Sequence, residues 1–333
     1  MLFLNVGISI AIWGVSMSDV RRIERRVSLR DLRVLVSVIE SGSMGKAARL
    51  LATSQPAISR SIADLEHAFG VRLLERSAYG VEPTRYGSAL LKRGIAMFDE
   101  LGQGVKDIGF LADPSVGDLS IAASIALAEG LVCSVMNDLS RRYPRLNFDV
   151  LASDTATAYR ALLDRKVDLA VVHVIDPIVT EHMHVETLLR DPHVVVAGLQ
   201  NRLLRRRRIK LSDLVDEPWA MPPPGSPYCS VVFEAFRASK LKIPRSVVSS
   251  TLPVRTTLLA TGNFLSMVPW SVMQFPPKNL LLRTLPIDLP ATARPLALVT
   301  LKNRTLNPVA GVFADQMRAT AKRLTNAQSR TAK

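Results

Sequence analysis

The fold is decided by residues 43–69, which read SMGKAARLLATSQPAISRSIADLEHAF. This stretch predicts two helices joined by a short turn. Ser43 and Ser54 each precede a helical run and are typical N-cap residues. Pro56 is tolerated because it lies in the first turn of the second helix. Spacings of four, three and four residues place the apolar side chains of that helix on one face, namely Ile58, Ile62, Leu65 and Phe69.

The opposite face of the second helix carries Gln55, Ser59 and Arg60 near its N-terminus. In a helix-turn-helix this end of the second helix enters the DNA major groove. There Gln pairs with adenine, Ser with several bases, and Arg with guanine or phosphate. An ordinary helical hairpin with a solvated polar face fits the same spacing. The first helix is expected to turn three side chains inward, namely Ala47, Leu50 and Leu51.

These residues and their flanks resemble the N-terminal domain of the LysR-type transcriptional regulators. The matching pieces are, in chain order, Leu29–Leu32, Gly42-Ser43, Ala47-Ala48, Ser54–Ser59, Ile62, Leu65-Glu66 and Gly70–Arg76. The similarity extends more weakly over about residues 28–325. It implies a multidomain protein: an all-α winged helix-turn-helix DNA-binding domain (28–86), a linker helix (87–114), an α/β effector domain like the two-lobed periplasmic binding proteins (115–325), and a basic tail (326–333).

The resemblance implies a sequence-specific DNA-binding regulator of transcription whose partner is double-stranded promoter DNA. It also leaves room for a contact with RNA polymerase. Residues 72–75 and 81–83 are predicted to form the two strands of a small wing. The residues expected at the DNA are Gln55, Pro56 and Ser59 on bases, Lys46, Arg60 and Arg76 on phosphates, and Ser54 as the cap of the reading helix.

Residues 84–112 predict one long helix, which Thr84 caps and Asp113-Pro114 ends. A stripe of apolar residues roughly 40 Å long favours a partner helix. The resemblance implies a homodimer in which two linker helices pair antiparallel, and a homotetramer beyond it. Packing against the chain's own second half is the alternative. The stripe consists of Leu91, Ile95, Phe98, Leu101, Val105, Ile108 and Leu111.

From Gly117 onwards, short apolar strands alternate with helices, which is typical of an α/β domain rich in parallel strands. Strands are predicted over residues 119–122, 147–151, 168–173, 194–197, 219–221, 247–250, 264–268 and 296–301. Helices are predicted over residues 126–142, 155–165, 230–238, 254–261 and 307–323. The resemblance implies two lobes, one formed by residues 115–176 and 270–325 and the other by residues 177–269.

Ligands of α/β sheets bind beyond the carboxyl ends of the strands. Ser124, Ser153 and His173 lie at such strand ends in the first lobe, and Ser226 and Thr251 lie in loops of the second. In the resembled family, small and often anionic inducers bind between the lobes, so these five residues are the expected effector contacts. Ordinary caps and turns, which Ser and Thr favour, are the alternative.

The 333-residue chain carries a net charge of +14 and has a pI of about 10.3. Residues 18–93 and residues 302–333 each carry a net charge of +6. The excess therefore lies on the expected DNA-binding domain and on the tail, which favours a polyanionic partner, although the tail is interpreted as a solvated, frayed end. Cys133 and Cys229 lack the spacing of metal ligands and are expected to be reduced thiols of a cytoplasmic protein, with a redox switch as the alternative.

Residues 1–16 are apolar and carry no charged side chain. They lack the basic segment and the cleavage site of a signal peptide, and they are shorter than the roughly 20 residues of a membrane span. Our interpretation is that translation begins at Met17 and that residues 1–27 form an extension without structure. Membrane anchoring is the alternative, and no membrane partner is expected.

No catalytic set emerges, because the sequence has no Walker loop, no G-x-S-x-G and no H-E-x-x-H. His182-x-His184 has no further ligands nearby, so neither a metal nor a cofactor is expected. Arg205–Arg208 is interpreted as a solvated loop, with contact to DNA or a partner as the alternative. Two other classes of protein are alternatives to a regulator. The missing export signal counts against a solute-binding protein, and the missing catalytic set counts against an α/β enzyme.

Overall fold

The structure is a computed structural model that describes residues 17–77, 80–175, 181–248, 252–275, 281–287, 289 and 292–331. The chain divides into two compact units, of which the first ends at Gly102 and the second begins at Gln103. Each unit has a hydrophobic core of its own.

The first unit is built from helices and a two-stranded wing. Its elements are α1 (Met17–Glu24), α2 (Leu29–Ser41), α3 (Met44–Leu50), α4 (Gln55–Phe69), β1 (Leu74–Ser77), β2 (Gly80–Pro83) and α5 (Arg85–Ala112), which continues across the boundary. The helix-turn-helix consists of α3 and α4. The two residues of the wing turn, 78 and 79, lie outside the described part of the chain.

Serine caps set the beginnings of three of these helices. Ser28, Ser43 and Ser54 have extended backbones, and each side chain accepts a hydrogen bond from the N–H group three residues later. Each cap satisfies one of the N–H groups that lack an intrahelical partner. Gly70 ends α4 with a φ of 69°, a left-handed conformation that glycine adopts without a steric penalty.

The core of the first unit lies between α2, α3 and α4. Ile58 and Ile62 of α4 are buried, whereas Leu50 is 72% exposed. The expectation that Leu50 packs inward is wrong, because the buried face of the short helix α3 is formed by Met44 and Ala47, which turns Leu50 to the other side.

Part of the N-terminal extension has structure, contrary to expectation. Met17–Glu24 form helix α1, and the N–H of Val27 donates to the carbonyl oxygen of Ile23 at 2.9 Å. Val27 then packs against the core of the first unit. Residues 1–16, on which the expectation also rested, lie outside the described residues.

The apolar stripe on α5 has two parts with different surroundings. Phe98 packs against the core of the first unit, and the guanidinium carbon of Arg33 lies 3.6 Å from its ring centre, a cation–π contact. Farther along, Leu101 is 56% exposed and Ile108 is 71% exposed. The exposed stripe, as we call this second part, consists of Leu101, Val105, Ile108 and Leu111.

The second unit alternates strands and helices. Its elements begin with β3 (Val116–Ser124), α6 (Ile125–Leu127), α7 (Cys133–Arg142), β4 (Arg145–Ser153), α8 (Thr155–Leu163), β5 (Leu169–His173) and β6 (Met183–Asp191). They continue with β7 (His193–Gly198), β8 (Trp219–Met221), α9 (Pro227–Ala238), β9 (Ser246–Val248), α10 (Leu252–Ala260) and β10 (Leu265–Pro269). They end with β11 (Leu282–Thr284), β12 (Arg294–Leu301) and α11 (Pro308–Thr331).

Two five-stranded sheets define the two lobes of this unit. The first lobe contains strands in the order β4-β3-β5-β12-β6, and the second lobe contains the order β11-β7-β10-β8-β9. Both sheets are mixed. In the first, β3 runs parallel to β4 and β5, while β12 is antiparallel to its neighbours. In the second, β8 runs parallel to β9 and β10. The expected two-lobed α/β architecture is confirmed.

Two strands lie in the opposite lobe from the one expected. β6 falls in residues 177–269 but pairs with β12 in the first lobe, and β11 falls in residues 270–325 but pairs with β7 in the second. The sequence pattern of a strand determines which of its faces is apolar, but it does not determine which distant strand it pairs with. The chain therefore crosses between the lobes after Asp191 and again on both sides of β11.

Two helices also differ from their expected bounds. The helix predicted over residues 126–142 is divided into α6 and α7 by a π-helical turn at Ala128–Val132. A side chain at Gly130 in this turn would come within 3.2 Å of the Phe275 carbonyl oxygen, so the turn packs closely. Helix α11 continues to Thr331, so most of the tail expected to be frayed is helical.

A buried ionic cluster fastens the end of α5 to the second unit. The Asp168 carboxylate lies 3.1 Å from an Arg304 nitrogen and 3.7 Å from Lys106 Nζ. It also accepts hydrogen bonds from Gln103 Nε2 at 3.4 Å and from the Ser120 N–H at 3.0 Å. Gln103 and Lys106 belong to α5, so the division between the two compact units falls inside this helix.

We predict that Asp168→Asn lowers the free energy of unfolding of the second unit by about 3 kcal/mol, because it removes the buried carboxylate that pairs with the buried Arg304 guanidinium. Chemical denaturation followed by circular dichroism measures the change. Asp164→Asn is the matched control, since Asp164 pairs with Lys166 at the surface, and it should change stability by less than about 0.5 kcal/mol. Equal losses in the two variants would contradict the role of the cluster.

Candidate functional site

The N-terminal end of α4 presents a polar surface. Gln55, Pro56 and Arg60 are exposed, and Ser59 is half-buried. Ser54 accepts the N–H of Ala57 at 3.4 Å, so its hydroxyl serves the helix cap. The residues expected to read bases therefore lie together on the free face of the second helix, where a groove of DNA can reach them.

The expected phosphate contacts flank this surface. Lys46 is an exposed residue of α3, and Arg76 is an exposed residue of β1, paired in register with Val81 of β2. The Glu66 carboxylate of α4 accepts the N–H groups of Leu73 and Leu74 at 2.7 and 3.2 Å. Glu66 thus fixes the wing strand that carries Arg76 against the C-terminal end of α4.

Helix α4 is also tied to α2 by a side-chain bond. The hydroxyl of Ser61 donates to Asp31 at 2.5 Å, and Ser28 donates to the same carboxylate. Partial burial raises the pKa of Asp31, but the hydrogen bonds from Ser28 and Ser61 outweigh it and hold the pKa below its usual value. An ionised acceptor at this point positions α4 without using the residues of its polar surface.

A cavity of about 200 Å³ lies in the cleft between the two lobes of the second unit. Ser124 and Ser153, at the ends of β3 and β4, pair in register and reach it together from the first lobe. Its apolar wall is formed by Ile125, Ala126, Ala156, Ile175, Pro222, Pro223, Pro227, Met267, Val268 and Pro269. Its other residues are Asp154, Thr155, Tyr159, Ser226, Tyr228 and Arg255.

Two hydroxyl groups in the cavity wall, those of Thr155 and Tyr159, are buried without a hydrogen bond to the described residues. A third buried hydroxyl, that of Ser124, lies beside Tyr228 and lowers the Tyr228 pKa by a side-chain hydrogen bond. Burial raises the pKa of Tyr159, so its hydroxyl stays protonated. A buried polar group without a partner costs free energy, so two of them around one cavity indicate a place where water or a polar ligand binds.

The described residues that line the cavity include one cation and one anion. Burial lowers the pKa of Arg255, which still leaves the guanidinium charged at neutral pH. The exposed carboxylate of Asp154 accepts the N–H and the hydroxyl of Thr157 at 2.9 and 2.8 Å, and these bonds lower its pKa. As the cation among the described lining residues, Arg255 is the group suited to meet an anionic ligand.

Behind the cavity wall, a row of buried polar groups joins the lobes. The Tyr228 hydroxyl lies 3.1 Å from Nδ1 of His173, and Nε2 of His173 lies 2.8 Å from Oδ2 of Asp191. Asp191 also accepts the N–H and the hydroxyl of Ser271 at 3.0 and 2.5 Å. Tyr228 belongs to the second lobe and His173 to the first. The row therefore forms a hydrogen-bonded bridge across the cleft.

His193 lies beside this row and is neutral. Burial is the main cause that lowers its pKa to about 4, and the neighbouring His173 lowers it further. Its Nδ1 lies 3.0 Å from the carbonyl oxygen of Thr292, so Nδ1 carries the hydrogen and donates it. Its ring centre is 6.4 Å from that of Tyr228.

The expected effector contacts have different outcomes. Ser124, Ser153 and Ser226 line the cavity, whereas Thr251 lies outside the described residues. His173 is fully buried behind Tyr228 and does not line the cavity, which disagrees with the expected direct contact. Strand β5 ends at the expected edge of the sheet, but the Tyr228 side chain, from helix α9 of the second lobe, covers His173.

Sequence reasoning missed Tyr228 and Arg255. Both lie close to strand ends of the second lobe, Tyr228 in the first turn of α9 and Arg255 in the first turn of α10. An arginine at the start of a helix that follows a short apolar strand was a usable signal for Arg255. Nothing in the sequence pattern indicated that the Tyr228 side chain reaches the cleft.

Among the residues that the structure describes, no group of three or more His, Cys, Asp or Glu side chains could hold a metal ion. Within the same residues, no helix combines the length and the apolar character needed to cross a membrane.

Two family models match the chain. Residues 29–88 match the model described as bacterial regulatory helix-turn-helix protein, lysR family, and residues 112–322 match the model described as LysR substrate binding domain.

Similar proteins include other regulators of this kind. The transcriptional regulator GbpR of Azospirillum brasilense is 27% identical over 299 residues, which cover 89% of this chain and 87% of GbpR. The transcriptional regulator TdcA of Escherichia coli K12 is 25% identical over 284 residues, covering 85% of this chain and 90% of TdcA.

Among solved structures, a full-length OxyR variant of Pseudomonas aeruginosa has a similar fold. The TM-score is 0.64 at 20% identity, with 88% of this chain and 95% of that chain covered. The separate matches of both units, over most of the chain, agree with the helix-turn-helix and the two-lobed cleft. The chain therefore belongs to the LysR family of bacterial transcription regulators, in which a helix-turn-helix DNA-binding domain precedes a substrate-binding domain.

Proposed function

We propose that the cleft cavity binds a small organic acid with an apolar body, and that this ligand controls how the regulator acts on promoter DNA. The observation that carries the ligand class is the composition of the cavity wall. It combines ten apolar residues with buried hydroxyls and the guanidinium of Arg255.

Each part of the wall has a counterpart in such a ligand. The apolar side chains favour a hydrocarbon body, because burying it removes apolar surface from water. The Arg255 guanidinium favours a carboxylate, to which it donates charge-assisted hydrogen bonds. Ser124 lies just before α6, and Thr155 is the first residue of α8. The free backbone N–H groups at the start of a helix also favour an anion. Asp154 is exposed, and its carboxylate already accepts hydrogen bonds from Thr157.

We predict that Arg255→Gln weakens the binding of benzoate about 10- to 100-fold and leaves the binding of benzamide nearly unchanged, because a hydrogen bond to a charged group contributes about 1.5–3 kcal/mol. Isothermal titration calorimetry on the full-length protein measures both affinities. Arg237→Gln is the matched control, since it removes the same charge from an exposed site in the same lobe. An equal loss for acid and amide would reject the role of Arg255.

For DNA, we propose that Gln55, Pro56 and Ser59 contact bases while Lys46, Arg60 and Arg76 contact phosphates. The exposed position of the N-terminal end of α4 supports this division, because a recognition helix reads bases with that end. Ser54 contributes through the helix cap. The expected setting is the cytoplasm, where promoter DNA is found, and we propose no catalytic role. Contact with RNA polymerase is compatible with this function.

We predict that Gln55→Ala costs about 1–3 kcal/mol on a site selected by the wild-type protein from random sequences, and little on unselected DNA. Arg76→Ala should weaken binding to both and lower the slope of log K against log salt by about 0.9, because it removes one phosphate contact. Fluorescence anisotropy at several salt concentrations measures both effects. If Gln55→Ala weakened selected and unselected DNA equally, base reading by Gln55 would be excluded.

We also propose that two subunits pair through the exposed stripe on α5, giving a homodimer, with a homotetramer formed from two dimers. Four large apolar side chains in consecutive turns of one helix, exposed by more than half, support this pairing. The tetramer follows from the family relationship alone.

We predict that Leu101→Arg combined with Ile108→Arg shifts sedimentation-velocity profiles to the monomer, because paired charges would be buried in the interface. Gly102→Arg combined with Gly109→Arg is the matched control. It adds the same charges to the same helix with the same spacing, on a neighbouring face with open space around both positions. Phe98 is left unchanged because it belongs to the core of the first unit. A dimer that survives the first pair would refute the exposed stripe as the interface.

A further inference from the structure

A basic segment precedes the helix-turn-helix. Residues 20–30, which we call the basic segment, hold five arginines and one acidic residue, Glu24. Neither family model includes residues 20–28, since the match to the DNA-binding domain begins at residue 29. The DNA contacts proposed above lie on α3, α4 and the wing, so none of them belongs to this segment. Its arginines are Arg21, Arg22, Arg25, Arg26 and Arg30.

The basic segment is a folded part of the first unit, with its apolar side inward. Val20, Ile23 and Val27 recur at spacings of three and four residues and are half-buried. The N–H groups of Arg26 and Val27 both donate to the carbonyl oxygen of Ile23 at 2.9 Å, which closes the end of α1. Val27 packs against the core of the first unit. The apolar contacts therefore hold the segment in place on the DNA-binding unit.

The charged side chains of this segment face solvent. Arg21, Arg25 and Arg26 are exposed, and none of the three pairs with a carboxylate among the residues that the structure describes. Arg30, in the first turn of α2, is exposed as well. Clustered exposed cations attract a polyanion, because neutralising its charges releases the counterions that surround it.

The start of α2 joins the basic segment to the polar surface of α4. Arg30 and Arg60 line the same surface hollow between α2 and α4, together with Asp31 and Asp64. The hydroxyl of Ser61 donates to Asp31 at 2.5 Å, which holds the first turn of α2 against α4. Basic positions therefore follow one another from Arg60 on α4, across the hollow to Arg30, and back along the chain into the basic segment.

We propose that Arg21, Arg25 and Arg26 contact phosphates of promoter DNA beside the site that α4 reads. This inference rests on the proposed function, in which α4 enters the groove, and adds a second contact surface to it. Phosphate contacts position a protein on the duplex and carry no sequence information directly. The basic segment therefore raises the affinity for selected and unselected DNA alike and leaves the preference between them unchanged.

The test removes three charges from the full-length protein by combining Arg21→Gln, Arg25→Gln and Arg26→Gln. Fluorescence anisotropy at several salt concentrations measures binding to selected and unselected duplexes of equal length. We expect both affinities to fall at least about tenfold at low salt while their ratio stays within about twofold. The slope of log K against log salt should be lowered by about 2–3 for each bound subunit, because each phosphate contact contributes about 0.9.

The matched control combines Arg141→Gln, Arg160→Gln and Arg237→Gln. These arginines are exposed on α7, α8 and α9, so the control removes the same charge from the chain and leaves the first unit unchanged. It should change the slope by less than about 0.5. An equal change in the two triple variants would reflect net charge alone and would overturn the inference.

Hydroxyl-radical footprinting on the selected duplex locates the contact. The wild type should protect backbone positions at the edge of the site that the variant of the basic segment leaves open, and both proteins should protect the centre of the site equally. Identical footprints would overturn the inference. Melting temperatures, which should agree between the wild type and both triple variants, show that the comparison is made on folded protein.

The outcomes separate this inference from the function beneath it. If the wild type prefers no selected duplex over unselected DNA, the proposed reading by α4 fails and the inference falls with it. If the wild type shows the preference and Arg76→Ala lowers the slope, but the variant of the basic segment keeps the wild-type slope, the proposed function stands and the inference is overturned. A variant that keeps its DNA affinity and instead loses binding to vesicles of anionic phospholipid would assign the segment to a membrane surface.

Discussion

The buried carboxylate of Asp191 is the group on which the geometry of the cleft depends. Removing a carboxylate from water costs several kcal/mol unless hydrogen-bond donors replace the lost solvent. Ser271 supplies two donors and His173 a third. Asp191 ends β6 and Ser271 follows β10, so these bonds hold two crossings between the lobes against each other. The Trp270 N–H, which donates to the Pro192 carbonyl oxygen at 2.7 Å, fastens the same crossings a second time.

Because the crossings are fixed, the cleft depends on how helix α9 lies over the first lobe. Tyr228, in the first turn of α9, bonds to His173 of β5, and Glu234, two turns later, pairs with Arg294 of β12. Both contacts cross the cleft, and Ser226 and Tyr228 also line the cavity. The first turn of α9 therefore both lines the cavity and takes part in the contacts that join the lobes.

The sequence predicts the first unit well because its signals are local: a cap, an apolar face and a terminal glycine all act within one helix. It fails where distant segments meet. Strands β6 and β11 pair with partners more than 80 residues away, and no local pattern encodes such a pairing. For the same reason, the sequence indicates Ser124, which follows directly from the end of its strand, and does not indicate Tyr228, whose position depends on how the two lobes dock. Phe98 fits the apolar period of α5, yet Arg33, 65 residues earlier, covers it.

Strand β5 offers a rigid connection from the cleft to the long helix. His173, its last residue, lies in hydrogen-bonding contact with the Tyr228 hydroxyl, and Asp168, just before its first residue, contacts Gln103 and Lys106 of α5. β5 lies between β3 and β12 and is buried along its length, so it cannot bend independently of the sheet. The 28 residues of α5 form a continuous helix about 42 Å long. Within the second unit, β5 therefore joins the Tyr228 contact at one of its ends to Gln103 and Lys106 of α5 at the other.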